Sequence, residues 1–187
     1  NKSAQRDLAF VIASNLALLD DSVLDFCLDH DIELSTSLDG PADLHNRNRH
    51  RPGGDSWERT IAGIRRAHEV LGHHRVSALM TTTARSLEQP EAIIDAYVAA
   101  GLSDVFLRPI SPYGFAVRKG AALYDADAWL RFYERGLDYI LELNRAGTPI
   151  RESYAALVLK KMLTNDDPGY LDLRSPAGLG IGGIVYN

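Results

Sequence analysis

Cysteine is almost missing from this chain: Cys27 stands alone among 187 residues. One thiol makes neither an intrachain disulfide nor a multi-thiolate metal or iron–sulfur site. Basic charge is not in excess either. Lys and Arg total 20 against 25 Asp and Glu, for a net charge of −5 and a pI near 5.6. That balance argues against a general binder of nucleic acid or anionic membrane, while leaving room for a local basic patch. No apolar run approaches the roughly eighteen residues a membrane helix requires; the longest, such as LAFVIA over 8–13, is strand-sized. The start, NKSAQRDLAFVIASN, carries no secretory pattern and no initiator Met, and the chain stops inside the apolar GIGGIVYN. Both ends read as cut, so a piece of a longer protein is expected. What remains is ordinary globular material. Hydrophobic residues make up 45% and charged residues 24%, in a length that buries a real core, which excludes disorder, fibre and disulfide-miniprotein readings.

Four β-rich runs stand out at 8–14, 32–37, 75–81 and 104–110. Short length, polar flanks and β-branched or aromatic content favour strands. Helical patterns lie between them. Residues 21–29 put Val23, Leu24, Cys27 and Leu28 on one stripe, with Asp20 or Asp21 as N-cap. Residues 56–71 begin with Ser56 as N-cap, and residues 90–100 carry Pro90 in the first turn and end at Gly101. Strand and helix alternating without hairpin signals predict a parallel sheet with covering helices. Residues 39–55 are expected to form one long polar loop, of a length that usually serves function. Beyond about residue 112 a loop gives way to helices near 126–145 and 149–163, then to turn-rich sequence and a final apolar run.

In parallel α/β layouts the carboxyl ends of the strands carry the site. Here they read Ser14-Asn15, Ser37-Leu38-Asp39-Gly40, Thr81-Thr82-Thr83 and Arg108-Pro109-Ile110-Ser111. Polar residues also stop strands, so no one of these ends is specific by itself. Cys27 reads as a small buried hydrophobe. The basic run His45 to Arg51 reads as an anion patch, or as a solvated loop paired with Asp43 and Asp55. His73-His74 reads as a helix C-terminal turn, without a third ligand for a metal. The glycine-rich 178–183 lacks the context of a phosphate loop.

One resemblance covers nearly the whole chain. Residues 33–66, ELSTSLDGPADLHNRNRHRPGGDSWERTIAGIRR, are similar to the fourth-strand region of radical S-adenosylmethionine enzymes. The similarity is to the peptide-modifying branch, the anaerobic sulfatase-maturating-enzyme-like maturases with a SPASM extension. It rests on Ser37, Leu38, Asp39, Gly40, Pro41, His45, Asn46, Arg49, Gly53, Gly54 and Trp57. Residues 10–21, with the pair Ser14-Asn15, resemble the preceding strand. DVFLRPISPYG (104–114) resembles the sixth strand and RSPAGLGIGGIVYN (174–187) the start of the SPASM region. Those two segments read most like the maturases of His-Xaa-Ser peptide systems.

The resemblance implies a parallel-stranded partial (β/α)6 TIM-like barrel, with core elements over 1–112 and a helical linker to a truncated SPASM-like domain over 113–187. It implies a cytoplasmic oxidoreductase in which a 4Fe–4S cluster reduces S-adenosylmethionine to a 5′-deoxyadenosyl radical, which abstracts a hydrogen atom from a peptide or protein side chain. Cofactor contacts are carried over to Ser14, Asn15, Ser37 and Asp39. Arg59, with Arg49 second, is assigned to the methionine carboxylate, since a guanidinium binds a carboxylate bidentately. Leu107, Arg108 and Pro109 are assigned to the adenine flank. The three-cysteine cluster motif and the glycine-rich segment for the methionine amine are absent here, and Ala177 stands where many relatives have a cluster cysteine. The piece alone is therefore expected to hold no cluster and to be inactive. Two alternatives remain: an α/β-barrel-like hydrolase or lyase with Asp39, His45 and Arg108 around an anionic substrate, and a non-catalytic peptide-binding scaffold. No nucleic acid and no membrane is expected as partner. An exposed apolar first strand, near Leu8, Phe10 and Ile12, predicts self-association.

Overall fold

The computed structural model describes residues 9–110 and 124–166. Three strands, β1 (Phe10–Ala13), β2 (Ile32–Ser37) and β3 (Val76–Leu79), form one parallel sheet in the order β1-β2-β3. Phe10 pairs with Ile32, and Leu34 with Val76. Each pairing is made through a crossover. Helix α1 (Asp21–Asp29) returns β1 to β2, and α2 (Ala42–Asn48) with α3 (Ser56–Leu71) returns β2 to β3. Helix α4 (Pro90–Ala99) leads to β4 (Asp104–Val105), and α5 (Ala126–Arg145) leads to β5 (Arg151–Glu152) and α6 (Ser153–Leu163).

Alternation on β2 explains its burial. Ile32, Leu34 and Thr36 face the helices and are buried. The stripe of α3 answers with Ile61, Ile64, Ala67 and Leu71, and α1 adds Leu24 and Cys27, the cysteine being fully buried as expected of a small hydrophobe. The same core continues through Ile93, Ile94 and Tyr97 of α4 to Val105, Leu107, Phe132 and Ile140. Asp20 is the N-cap of α1, its carboxylate accepting from the Val23 N–H at 3.0 Å.

Several expectations are revised. The segment 39–55 is not one loop. It contains α2, entered from Pro41, whose fixed φ suits a helix start. Helix α3 is not capped by its own Ser56: Asp55 is at the cap, and Asn46 from α2 accepts from Ser56 Oγ at 2.7 Å and Trp57 N–H at 2.8 Å. The fourth strand is cut to two residues. It does not join the first sheet but pairs in parallel with β5, Asp104 with Arg151 and Val105 with Glu152. The last helix therefore starts at Ser153 rather than 149, because Glu152 caps it and also accepts the Leu107 N–H. The architecture is α/β with parallel strands, in two open sheets. Among the described residues they do not close into a barrel.

Strand β1 is the exposed edge that the sequence predicted. Phe10 is 57% exposed, Val11 54% and Ile12 36%; Leu8 lies outside the described residues. So do Ser111, Asp167, Ala177, the glycine-rich 178–183 and the final apolar run. No helix among the described residues is long and apolar enough to cross a membrane.

Candidate functional site

The carboxyl end of β2 runs straight into the S-L-D-G-P segment, and Asp39 is its pivot. Its side chain is 1% exposed. Oδ2 accepts from Arg49 Nε at 2.9 Å and Oδ1 from Arg49 Nη2 at 3.0 Å, a two-point pairing with the guanidinium edge. Oδ1 also accepts the Thr81 backbone N–H at 2.8 Å, which ties the end of β2 to the segment after β3. The Asp39 backbone N–H donates to His45 Nδ1 at 3.2 Å. Gly40 makes this turn possible: its φ is +130°, and a Cβ there would lie 2.8 Å from Ile93 Cγ1. From α4 the buried Tyr97 hydroxyl donates to the Leu38 carbonyl at 2.7 Å, and burial raises its pKa well above the usual phenol value.

His45 is fully buried, and burial lowers its pKa below the usual imidazole value. With Nδ1 accepting, the neutral ring carries its proton on Nε2, which has no hydrogen-bond partner among the described residues. Asn48 Nδ2 is likewise a buried donor with no acceptor among them. Beyond the site, Thr82 Oγ donates to the Arg108 carbonyl at 2.6 Å, and Tyr124 bridges the Thr82 carbonyl and the Ile110 N–H. The polar ends after β2, β3 and β4 are thus stapled to one another.

Two open pockets lie at these strand ends. The larger, of about 750 Å³, is lined by Asn15, Ser37, His45, Arg49 and Arg59 among others. The smaller, of about 470 Å³, is lined by Asp39, Arg47, Arg49, Thr81, Thr83 and Arg85 with Ala84 and Ile110. Asn48 and Arg49 belong to both and form the wall between them. Arg59 and Arg51 share Asp55: Arg59 Nε lies 2.8 Å from Oδ2, and Arg51 Nη1 3.0 Å from Oδ1. Arg59 lines the larger pocket, and its two terminal nitrogens have no hydrogen bond among the described residues.

Asn15, Ser37, Arg49 and Arg59 therefore meet in one cavity, and Asp39 meets them through Arg49. Ser14 does not line it; its hydroxyl accepts the Leu16 N–H in a local turn. Leu107 is fully buried and donates its N–H to Glu152, while Arg108 and Pro109 are exposed, the Arg108 guanidinium lying 6.0 Å from the Phe106 ring centre. None of these three lines either pocket. Of the trio Asp39, His45 and Arg108, only the first two meet. Sequence reasoning passed over Arg85, which follows the Thr81-Thr82-Thr83 strand end that the sequence did mark. Arg47 and Asn48 were read only as members of the basic run His45 to Arg51 in a loop; α2 places them at its last turn.

Parallel strands and covering helices, with a cavity lined by arginines at the carboxyl ends, define an α/β protein. Structures of native anSMEcpe, an anaerobic sulfatase-maturating enzyme of the radical SAM class, share this fold. With bound AdoMet and Kp18Cys peptide, the likeness covers 85% of this chain and 44% of that one, with a TM-score of 0.64 and 17% identity. With AdoMet and Cp18Cys peptide the figures are 87%, 45%, 0.68 and 18%. An uncharacterized protein of Methanothermobacter thermautotrophicus is 31% identical over 106 residues, 56% of this chain and 37% of its own length. The chain thus spans less than half of each. No family model matches the sequence.

Proposed function

We propose that this chain is part of the core of a radical S-adenosylmethionine enzyme that modifies a peptide or protein side chain by hydrogen-atom abstraction, and that its larger pocket takes the S-adenosylmethionine. The observation that carries the reading is the pairing of a shared fold with a matching cavity. The fold is that of a protein solved with AdoMet and peptide, and the cavity gathers hydroxyl, amide, imidazole N–H and guanidinium groups at the strand ends. Buried donors without acceptors cost about 1–3 kcal/mol each. The His45 Nε2 and Asn48 Nδ2 donors are of that kind, and a ligand rich in oxygen acceptors is what they lack.

Within the cavity, Ser37 and Asn15 offer hydrogen bonds to a nucleoside. Arg59 receives the amino-acid carboxylate in preference to Arg49. Its terminal nitrogens are free, whereas Arg49 has given one edge to Asp39. Asp39 is the positioning residue behind Arg49 and His45. When reduced by a cluster, S-adenosylmethionine supplies the carbon-centred oxidant that removes the hydrogen atom. The residues present do not fit the cluster itself, since the one cysteine is locked in the core on the inner face of α1. Its ligands, in this reading, belong to the rest of a longer enzyme, in which residues 1–112 are core and 113–187 lead to a SPASM-like domain.

The test is nuclear magnetic resonance of the 187-residue chain titrated with S-adenosylhomocysteine. Amide shifts at Ser37, His45, Asn48 and Arg59 are expected, weakened in Arg59→Gln and unchanged in Arg66→Gln, which lines neither pocket and pairs with Asp21 and Glu69. Shifts absent from these residues, or indifferent to Arg59→Gln, overturn the assignment.

A further inference from the structure

The smaller pocket has a charge pattern that cofactor binding next door does not use. Seven arginines of the described residues are matched with carboxylates: Arg49 with Asp39, Arg51 and Arg59 with Asp55, Arg66 with Asp21 and Glu69, Arg75 with Asp31, Arg135 with Glu91, and Arg151 with Asp104. Arg47 and Arg85 are not. Among the described residues neither has an ion pair or a side-chain hydrogen bond, yet both line the same 470 Å³ concavity together with Arg49. Gathering guanidinium groups without counter-charge raises the local positive potential and focuses it into the cleft. Asp39, the single acid of the lining among the described residues, offers no relief, because both of its oxygens are already engaged with Arg49 and Thr81.

We propose that this pocket binds the substrate itself, by receiving an acidic side chain of a peptide between Arg47 and Arg85. The inference rests on the reading that the substrate is a peptide or protein, and adds that the peptide is acidic near the modified residue. Several features fit a carboxylate. Guanidinium groups bind it in two-point fashion. The hydroxyls of Thr81 and Thr83 lie in the same wall, and the apolar Ala84 and Ile110 can cover a methylene stem. The volume falls within the roughly 300–1,000 Å³ of small-ligand pockets. Single-stranded nucleic acid is the competing polyanion, but it is held by stacking bases on aromatic rings, and among the described residues no aromatic side chain lines this pocket. A net charge of −5 works against it as well.

The test uses the full chain and two fluorescein-labelled peptides, Gly-Ala-Glu-Asp-Glu-Ala-Gly and its Gln/Asn counterpart, read by fluorescence anisotropy at low salt. The acidic peptide is expected to bind roughly tenfold more tightly than the amide peptide, the effect of one charged hydrogen bond. Arg47→Gln and Arg85→Gln each remove most of that difference. Arg145→Gln, on the last turn of α5, does not. All three are exposed, so folding is preserved. Equal binding of the two peptides overturns the proposal, as does equal loss in Arg145→Gln or tighter binding of a labelled oligothymidylate. S-adenosylhomocysteine titrated in parallel keeps the readings apart. Lost nucleoside shifts with a retained peptide preference count against the cofactor pocket alone.

Discussion

Replacing Asp39 by Asn strikes the clamp on which both pockets depend. The carboxylate receives two hydrogen bonds from Arg49 and one from the Thr81 N–H while almost wholly excluded from water. Asn keeps the shape but loses the charge, and its amide nitrogen faces a donor whichever way it turns. Turned the cheaper way, it keeps its oxygen for Thr81 and Arg49 Nη2 and sets its nitrogen against Arg49 Nε. Hydrogen bonds to charged groups contribute about 1.5–3 kcal/mol each, and breaking a buried ion pair costs about 3–5 kcal/mol. The Arg49 side chain is 32% exposed, so water recovers part of its loss. The net cost is about 2–3 kcal/mol. In a chain of this size each kcal/mol shifts the melting temperature by about 2–4 °C, so a fall of about 5–10 °C is expected. Urea unfolding followed by circular dichroism gives the energy directly, and a cycle with Arg49→Gln isolates the pair. The double variant is expected to be more stable than the sum of the two single losses allows. An Asp39→Asn variant within about 0.5 kcal/mol of the parent, the scatter of surface changes, refutes the clamp; strict additivity refutes the pairing.

Two further outcomes follow from burial and from packing. Burial holds His45 and His68 below the usual histidine range, with His73 lowering His68 further. Both stay neutral in the fold while the unfolded chain takes up protons near pH ~6.5. Stability is therefore complete above that pH and declines as pH falls below it toward the folded values; urea midpoints on both sides should fall more steeply in the parent than in the His45→Gln, His68→Gln double variant, and equal slopes would contradict this. Gly63→Ala puts a Cβ 2.7 Å from Leu16 Cβ, and Leu16 is itself held at a φ of 58°, so neither side gives way. Overpacking of this kind costs about 1–3 kcal/mol; at Gly136 the nearest atom is the movable Leu107 Cδ1, so Gly136→Ala should melt higher than Gly63→Ala, and the reverse order would count against the packing.

The frame was legible in the sequence wherever periodicity and caps act locally. The stripes of α1 and α3, the Pro90 start of α4, a cap at Asp20 or Asp21 and the β-rich run of β2 were all read from residues close together in the chain. What escaped was decided by partners far along the chain. Helix α2 is seven residues after a proline, five of them polar and only Leu44 anchoring it in the apolar core, and its worth lies in presenting Asn46 to α3 and Asn48 and Arg49 to the pockets. Strand β5 exists because Glu152 reaches Leu107 and Tyr133 across the fold, which no local pattern encodes. The site was partly legible. The S-L-D-G-P segment marked Asp39 and the strand ends marked Ser37 and Asn15. The pairing of Asp39 with Arg49 rather than with solvent, and the gathering of Arg47 with Arg85, depend on where α2 turns.

The bond from Thr81 to Asp39 has a meaning for assembly as well as for the site. Strands β2 and β3 are parallel and joined by some forty residues of crossover, so no tight turn sets their alignment. A slip of one residue would turn every β3 side chain to the wrong face, while a slip of two would keep the faces and pass unnoticed by hydrophobicity alone. The Asp39 carboxylate accepts one particular N–H, two residues beyond the Leu79 carbonyl that receives the Leu38 N–H. It acts as a ratchet tooth, counting residues on its neighbour and seating the arginine only when the count is right.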